Sequence, residues 1–480
     1  MVFSLDVGRI EGLGEEEKKK LSDLIKILNY HASRNAEKDK YYEGNISLRD
    51  VNLGLALPNG ISKLEIGCSW GAKTVDVLAG RSRFDGFVSA NGDEYKNLRS
   101  IVSQNNLLFE YMKACRDELK YGCTFATLSA DSVIGCKIRF HDPNTAAAFW
   151  SGEKGRIDCG MAIIDTVKDE SKKETWRPSI INLYTDDAIW VITRDEYDNW
   201  SAEKKPNKMG RPLMEPLIWN ATTNKPFGRS RIKYPIRKLI DSYVRTLANA
   251  TIGLEFATTP QKYMLGITDE QYDKVVSDKF KQYAGAIIAA TYNPDNGEKP
   301  SVGQFSQGTI SPHTEMIRIL ATQFSAATGL SVSDTGIVND ANPSSSEALL
   351  AQEQTLVSMA EQLNAGNGHA LRTIALMAMA ISQKKTLEQL SDEEKAVVAH
   401  FKNPAMPSVS VTADAAIKIA SAREGFGNTD VFAEMIGFDQ ADIRRIKTQE
   451  ARIVGNEILT GLEDAEETGS DNRTVQGKAE

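Results

Sequence analysis

Ser331-Val332-Ser333-Asp334-Thr335-Gly336-Ile337-Val338-Asn339-Asp340-Ala341-Asn342-Pro343-Ser344-Ser345 carries almost no large side chains. Its Asp334, Asn339, Asp340, Asn342 and Pro343 favour turns over regular structure. Helical apolar spacing lies on both sides. Upstream, Ile310 to Thr328 places His313, Ile317, Leu320, Phe324 and Ala327 on one face. Downstream, Ser345 or Ser346 supplies an N-cap and Glu347 sits near the positive helix end. An Ala/Leu/Met-rich run then continues through Leu349, Leu356 and Met359 and from Ala370 to Ala380. Gly366 and Gly368 lie inside it, each costing up to about 1 kcal/mol relative to Ala, so a kink or break is expected there.

Moving outward, Arg229 to Ala250 shows the strongest helical pattern, with Ile236, Leu239, Ile240, Tyr243, Val244 and Leu247 on its apolar face. Arg229, Arg231, Lys233, Arg237, Lys238 and Arg245 surround it against the single acid Asp241. That is either a solvated basic face or a positive collar near nucleic acid. Between these helices, Phe256 to Gly308 reads as a small inserted subdomain: an acidic helix (Thr268 to Tyr283), a strand-like Ala286 to Tyr292, and the turn cluster Asn293 to Gly297.

Toward the N-terminus, helices are predicted over Glu15 to Tyr42, Ser69 to Ala79 and Asn106 to Leu119. From Thr124 to Ile192 the apolar period changes to two, with turn signals at Asp142-Pro143-Asn144, Gly152 and Gly155. An antiparallel β layer following helices makes an α+β chain. Asn199 to Lys225, rich in Pro, Asn, Lys and Gly, reads as a connector. Beyond the long helix, Phe401 to Val411 is strand-like. Short helices follow over Ala413 to Arg423, Thr429 to Ile436 and Gln440 to Thr460, and the tail from Glu463 is expected to be disordered.

At 480 residues the chain is too long for one core, so two to four domains are expected. No apolar run approaches the roughly 20 residues that span a bilayer, and the Lys-rich, acidic N-terminus has no signal-peptide core. Synthesis in a reducing cytoplasm is the expectation. The five cysteines, an odd number without C-x-x-C spacing, read as buried free thiols. Five scattered histidines argue against a metal site. A net charge of −8 opposes tight, sequence-independent DNA binding but not a surface past which DNA slides. Gly67-Cys68-Ser69-Trp70-Gly71-Ala72-Lys73-Thr74 approaches a phosphate loop, yet its second glycine stands one place early and Ala72 precedes Lys73. An enzyme binding nucleotide at Gly67 to Thr74 is therefore a minor alternative. No catalytic, cofactor or metal residues are assigned.

The order of motifs resembles the bacteriophage portal family, in the branch that includes the portal of phage SPP1 and many actinophage portals. The resemblance runs from about Leu21 to Ile446. Tyr41-Tyr42-Glu43-Gly44 closes the first helix, and Trp70, Val75, Asp76, Leu78, Arg81 and Asp85-Gly86-Phe87 resemble a "W…vvd…R…dGf" segment. Tyr121-Gly122 is similar to the "yG" before the β layer. Gly210, Pro212, Pro216 and Phe227-Gly228-Arg229-Ser230 resemble "G…P…P…fGrS". Asn342-Pro343-Ser344 to Glu347-Ala348-Leu349 resembles "npsS.eAl", and Val411 to Ala416 with Gly437-Phe438 resembles "taDAa…lG".

The resemblance implies a multi-domain portal fold of wing, stem, clip and crown, with long helices around a central channel. Residues 1–228 would be the N-terminal wing, 229–255 and 310–330 the two stem helices, and 256–309 the clip. Residues 331–345 would be the tunnel loop, 346–383 a long kinked wing helix, 384–462 C-terminal wing and crown helices, and 463–480 a disordered tail. Family portals form closed rings, usually of about twelve copies, at one capsid vertex of the virion. Double-stranded DNA enters and leaves through them. Their implied partners are the terminase large subunit, the major capsid and scaffold proteins and the head–tail connector proteins, with no membrane and no catalysis. A non-portal virion adaptor or scaffold is the other structural alternative. The positions implied for the channel are Ser331, Ser333, Asp334, Asn339, Asp340, Asn342 and Ser344 of the tunnel loop and the stem cations Arg237, Lys238 and Arg245. Those implied for docking at the clip are Tyr263, Tyr272, Tyr292, Asn293 and Asp295.

Overall fold

The computed structural model describes residues 3–47, 65–89, 96–168, 176–258, 262–265, 301–304, 309–337, 346–405, 409–438 and 440–471. Helix α1, Glu15–Glu43, opens on three glutamates at its positive end and stops at Gly44, whose φ is +74°. A Cβ at Gly44 would sit 2.5 Å from the Cys68 carbonyl oxygen, so glycine is required for both conformation and contact. The buried face of α1, Leu21, Leu24, Ile25 and Leu28, lies on one face of a five-stranded antiparallel sheet through Met161, Ile163, Ile181, Leu183 and Ile192.

That sheet is a meander of β6 (Ala146–Ser151), β7 (Arg156–Lys168), β8 (Trp176–Tyr184), β9 (Ala188–Arg194) and β10 (Trp200–Pro206), each paired to the next. A three-stranded antiparallel sheet orders β11 (Met214–Ile218), β4 (Cys123–Asp131) and β5 (Gly135–His141). Strands β10 and β11 occupy much of the stretch that reads as a connector. Both are edge strands, and Pro206, Pro216 and the lysines of β10 mask their period. Lys and Pro are what exposed edges use against further pairing, so on β10 the same residues hide the strand in the sequence and protect it in the fold. Strand β11, by contrast, is short and buried, and its period is broken by Pro216.

Behind the smaller sheet, α2 (Trp70–Arg81), α3 (Lys96–Gln104) and α4 (Leu107–Tyr121) share one large core with α7, Ser346–Ser382. Helix α7 runs unbroken through Gly366 and Gly368, where a break is expected from propensity. Buried Leu363, Ala370, Leu371 and Ile374 on either side anchor it, and tertiary burial outweighs the local glycine cost. A short two-stranded sheet pairs β3 (Phe84–Val88) with β14 (Val398–Phe401), so the predicted strand ends at Phe401 rather than beginning there. Helix α8, Asp392–Lys395, is one turn closed by a capping box between Ser391 and Glu394.

The chain divides into two compact units, Met1–Pro404 and Ala405–Glu480. The second consists of α9 (Val409–Ala422), α10 (Asp430–Ile436) and α11 (Gln440–Asp471), with Ala416 and Ile443 buried inside it. Helix α11 continues past Glu463, where the sequence reading ends order. Glu463, Glu466 and Glu467 are good helix formers once a helix precedes them.

Candidate functional site

Helices α5, Tyr234–Thr258, and α6, Ser311–Thr328, pack along each other. Between them, β12 (Lys262–Leu265) and β13 (Ser301–Gln304) pair antiparallel, with Lys262 opposite Gln304. The intervening chain therefore leaves and returns at one place. At their other end, both helices meet α2 through an aromatic stack. Trp70 lies 4.2 Å from the Tyr243 ring of α5 and 4.6 Å from the Phe324 ring of α6. Its indole N–H donates to the Thr335 carbonyl at 3.3 Å. Gly71 permits this arrangement, because a Cβ there would lie 1.9 Å from the Tyr41 carbonyl oxygen of α1. Thr74 is fully buried and its hydroxyl donates back to Trp70 O. Gly67 to Thr74 is thus helix-packing machinery: its glycine makes room for a backbone and its threonine is spent inside the helix. The nucleotide-loop alternative is set aside on that geometry.

Arg231, just before α5, is buried in the same junction, which removes it from the basic surface expected around that helix. Its Nε donates to Thr74 O at 2.6 Å and its Nη2 to Thr328 O at 2.8 Å, while Nη1 lies 3.4 Å from Met359 Sδ. Burial pushes the guanidinium down to about 10, so it remains charged. One cation thereby ties α2, the C-terminal end of α6 and α7 together, and the α6 carbonyl it meets lies at the negative end of that helix.

After Gly329 (φ +72°) ends α6, the chain makes a packed turn rather than an open loop. Asp334 Oδ2 accepts from Ser331 N at 3.0 Å and from Ser331 Oγ at 2.7 Å, and the Ser331 and Ser333 hydroxyls meet at 2.7 Å. Ser333–Thr335 is one 3-10 turn. Ser331, Ser333 and Asp334 thus satisfy one another, whereas Asn339, Asp340, Asn342 and Ser344 lie outside the described residues. Of the positions that the resemblance implies for docking, Tyr263 lies on β12 and is exposed. Tyr272, Tyr292, Asn293 and Asp295 also lie outside the described residues.

The three cations Arg237, Lys238 and Arg245 differ in their surroundings. Arg237 pairs with Glu37. Lys238 Nζ is 2.9 Å from Asp241, a fully buried carboxylate that also accepts from the Tyr41 hydroxyl at 2.7 Å. Arg245 is half-buried, and its Nη1 is enclosed without a hydrogen-bond partner among the described residues.

A second polar cluster sits between α4 and α7. Glu118 is fully buried, its Oε2 accepts from Asn367 Nδ2 at 2.7 Å, and desolvation lifts its carboxyl to about 8. The Tyr111 hydroxyl accepts from Asn367 Nδ2 at 3.0 Å and meets Ser82 Oγ at 2.6 Å. Neither Arg231 nor Glu118 stands out in sequence, since a charge inside an apolar pattern resembles a solvent-facing position. All five cysteines are buried and free, and burial pushes their thiols up, to about 11 at Cys68 and Cys159. Among the described residues no His, Cys, Asp or Glu group is arranged to hold a metal, and no helix is long and apolar enough to cross a membrane.

The family model for "Phage portal protein, SPP1 Gp6-like" matches residues 21–455. The portal protein of Mycobacterium phage D29 is 24% identical over 452 residues, covering 90% of this chain and 89% of that protein. That of Mycobacterium phage L5 is 24% identical over 463 residues, covering 92% and 91%. Among solved structures, a chain from the neck of a native GTA particle, computed with C12 symmetry, is 12% identical with a TM-score of 0.43, over 77% of this chain and 89% of that one. With a family match across nearly its whole length, the chain belongs to the SPP1 Gp6-like family of phage portal proteins.

Proposed function

We propose that this portal protein works as a closed ring at one capsid vertex, with α5 and α6 as its stem around a DNA channel. The observation that carries this is the helix–strand–strand–helix path. Two packed helices flank a segment whose ends pair as β12 and β13, which supports reading residues 256–309 as a clip carried on a two-helix stem. In this reading residues 1–228 form the wing and 331–345 the tunnel loop. Residues 346–383 and 384–462 complete wing and crown, and the terminal residues from 463 form a polar tail. The ring holds about twelve copies. It sits in the virion, passes double-stranded DNA during packaging and ejection, and takes no catalytic part. The clip, with Tyr263 exposed on β12, docks the terminase large subunit before packaging ends and the connector proteins afterward. Capsid and scaffold proteins meet the ring from outside.

The packed turn Ser331–Ile337 suits a fixed root for the tunnel loop, since Trp70 and Asp334 hold its start. Its acids and lack of Lys or Arg oppose a tight phosphate grip, and each neutralised phosphate would add a salt-dependent brake. The test is in vitro packaging with the tips of the clip and loop altered separately. Shortening residues 268–297 is expected to abolish terminase-dependent packaging while rings still form. Unimpaired packaging by that variant would remove the clip from motor docking.

A further inference from the structure

A concavity of about 400 Å³ opens between α1, the sheets and the segment leading into α5. One face of α1 contributes His31, Arg34 and Lys38. The opposite wall contributes Lys225, Arg229, Lys233 and Arg237. No aspartate or glutamate lines it, although the chain as a whole has 65 acids against 57 Lys and Arg. Arg237 has Glu37 beside it. For the other six, no carboxylate lies within ion-pair distance among the described residues. Lys38 is turned to neutral acceptors, Asn35 Oδ1 at 3.2 Å and Tyr121 O at 3.0 Å. The positive charges press on one another and on the imidazole: burial, then Lys38 and Arg34, hold His31 below its usual range and so favour its neutral form, and burial, then Arg231 and Arg229, lower Lys233.

The wall is built, not incidental. A Cβ on Gly228 (φ +67°) would lie 2.1 Å from Trp219 O, and one on Gly122 (φ +114°) would lie 3.0 Å from the Arg229 backbone. Arg229 N donates to Trp219 O at 3.0 Å and Arg231 N to Leu119 O at 2.8 Å, which fixes the segment against α4 and β11. The floor is apolar: Phe125 and Phe227 pack edge to face at 5.7 Å, beside Ala146 and Ala148.

Cations without counter-charges call for an anion, and the floor decides its kind. A duplex presents phosphates on a convex, polar backbone and brings no apolar group to cover Phe227. A peptide does both, with carboxylates for the rim and an aliphatic or aromatic side chain for the floor. The volume falls in the range of sites that seat a few side chains. We propose that this concavity is a docking site for an acidic, apolar-anchored peptide segment of a separate protein that joins the assembly.

The experiment uses the purified full chain in the oligomeric state in which it is isolated. The probes are a short labelled peptide of alternating glutamate and leucine, its glutamine counterpart, and single-stranded DNA of similar length. Fluorescence anisotropy is expected to show binding of the glutamate peptide that weakens with salt. The exposed pair Lys225→Glu and Arg229→Glu should lower its affinity about tenfold or more. Phe227→Ala should lower it at constant charge, and Lys205→Glu on β10 should not change it. Near-ultraviolet circular dichroism checks that each variant is folded. Equal binding to wild type and the charge-reversed pair, or no binding to wild type, overturns the proposal. DNA that outcompetes the peptide at these residues would make it a nucleic-acid site instead. Peptide binding only to dissociated chains would mean that a second copy covers the concavity, and would equally overturn it.

Discussion

Gly71 faces the Tyr41 carbonyl so closely that a methyl group would lie 1.9 Å from its oxygen. Gly71→Ala is therefore expected to cost about 3 kcal/mol in thermal or denaturant unfolding, by overpacking two helices. Exposed Lys73→Ala should stay within about 0.5 kcal/mol. A phosphate loop would give a different pattern, with Lys73→Ala abolishing nucleotide binding. Glu118 makes a second residue-scale prediction. Its native carboxyl holds a proton up to about 8, against an ordinary value of 4.5, so between those values the native state binds more protons than the unfolded chain. Stability then falls as pH rises through that window. Glu118→Gln keeps the shape and loses the titration, so it should gain on the wild type by about 2–4 kcal/mol between pH 5 and pH 8. A constant difference between the two across that range would remove Glu118 from the account.

Among the elements, Arg231 holds what the long helices converge on. Arg231→Met leaves Thr74 O and Thr328 O without their buried donor and is expected to cost about 2–4 kcal/mol. Hydrogen exchange over residues 331–337 should quicken more than over the β6–β10 sheet; uniform quickening would contradict a local clamp. On α5 the pairing of Arg237 with Glu37 and of Lys238 with Asp241 leaves Arg245 with the most available charge. Arg245→Gln alone should reproduce most of the change in packaging rate seen when all three are neutralised, and normal packaging by the triple variant would make these cations purely structural. Helices α1, α2, α4, α5 and α6 and the first strands were legible because their apolar spacing is uninterrupted by tertiary demands. Strand β10 was hidden by edge-protecting Lys and Pro, and the short, buried β11 by Pro216. The packed turn at Ser331 was hidden because its anchor Trp70 is distant in sequence and because Asp334 and the two serines bond to one another only once the turn has formed. Asp334 and the serines were correctly read as turn formers, but not as each other's partners.

At the scale of the molecule, α5 and α6 leave Leu254, Met316 and Ile319 exposed, and the second unit leaves Ile417, Val431, Ile453 and Ile458 exposed. Exposed large apolar side chains commonly mark interaction surfaces, and head-to-tail contacts between copies give a ring when the rotation closes. Met316→Glu and Ile319→Glu together should weaken assembly without unfolding the chain, seen as a fall in assembled mass with unchanged circular dichroism. The family match makes the chain a portal protein, and the packed α5–α6 pair with its β12–β13 ladder is the part we propose as its stem. The most direct test joins negative-stain electron microscopy to a mass measurement of the same purified sample, with capsid and scaffold partners added. Rings with a central hole and a mass of about twelve chains are the predicted result. Monomers at every concentration, with and without those partners, would contradict it.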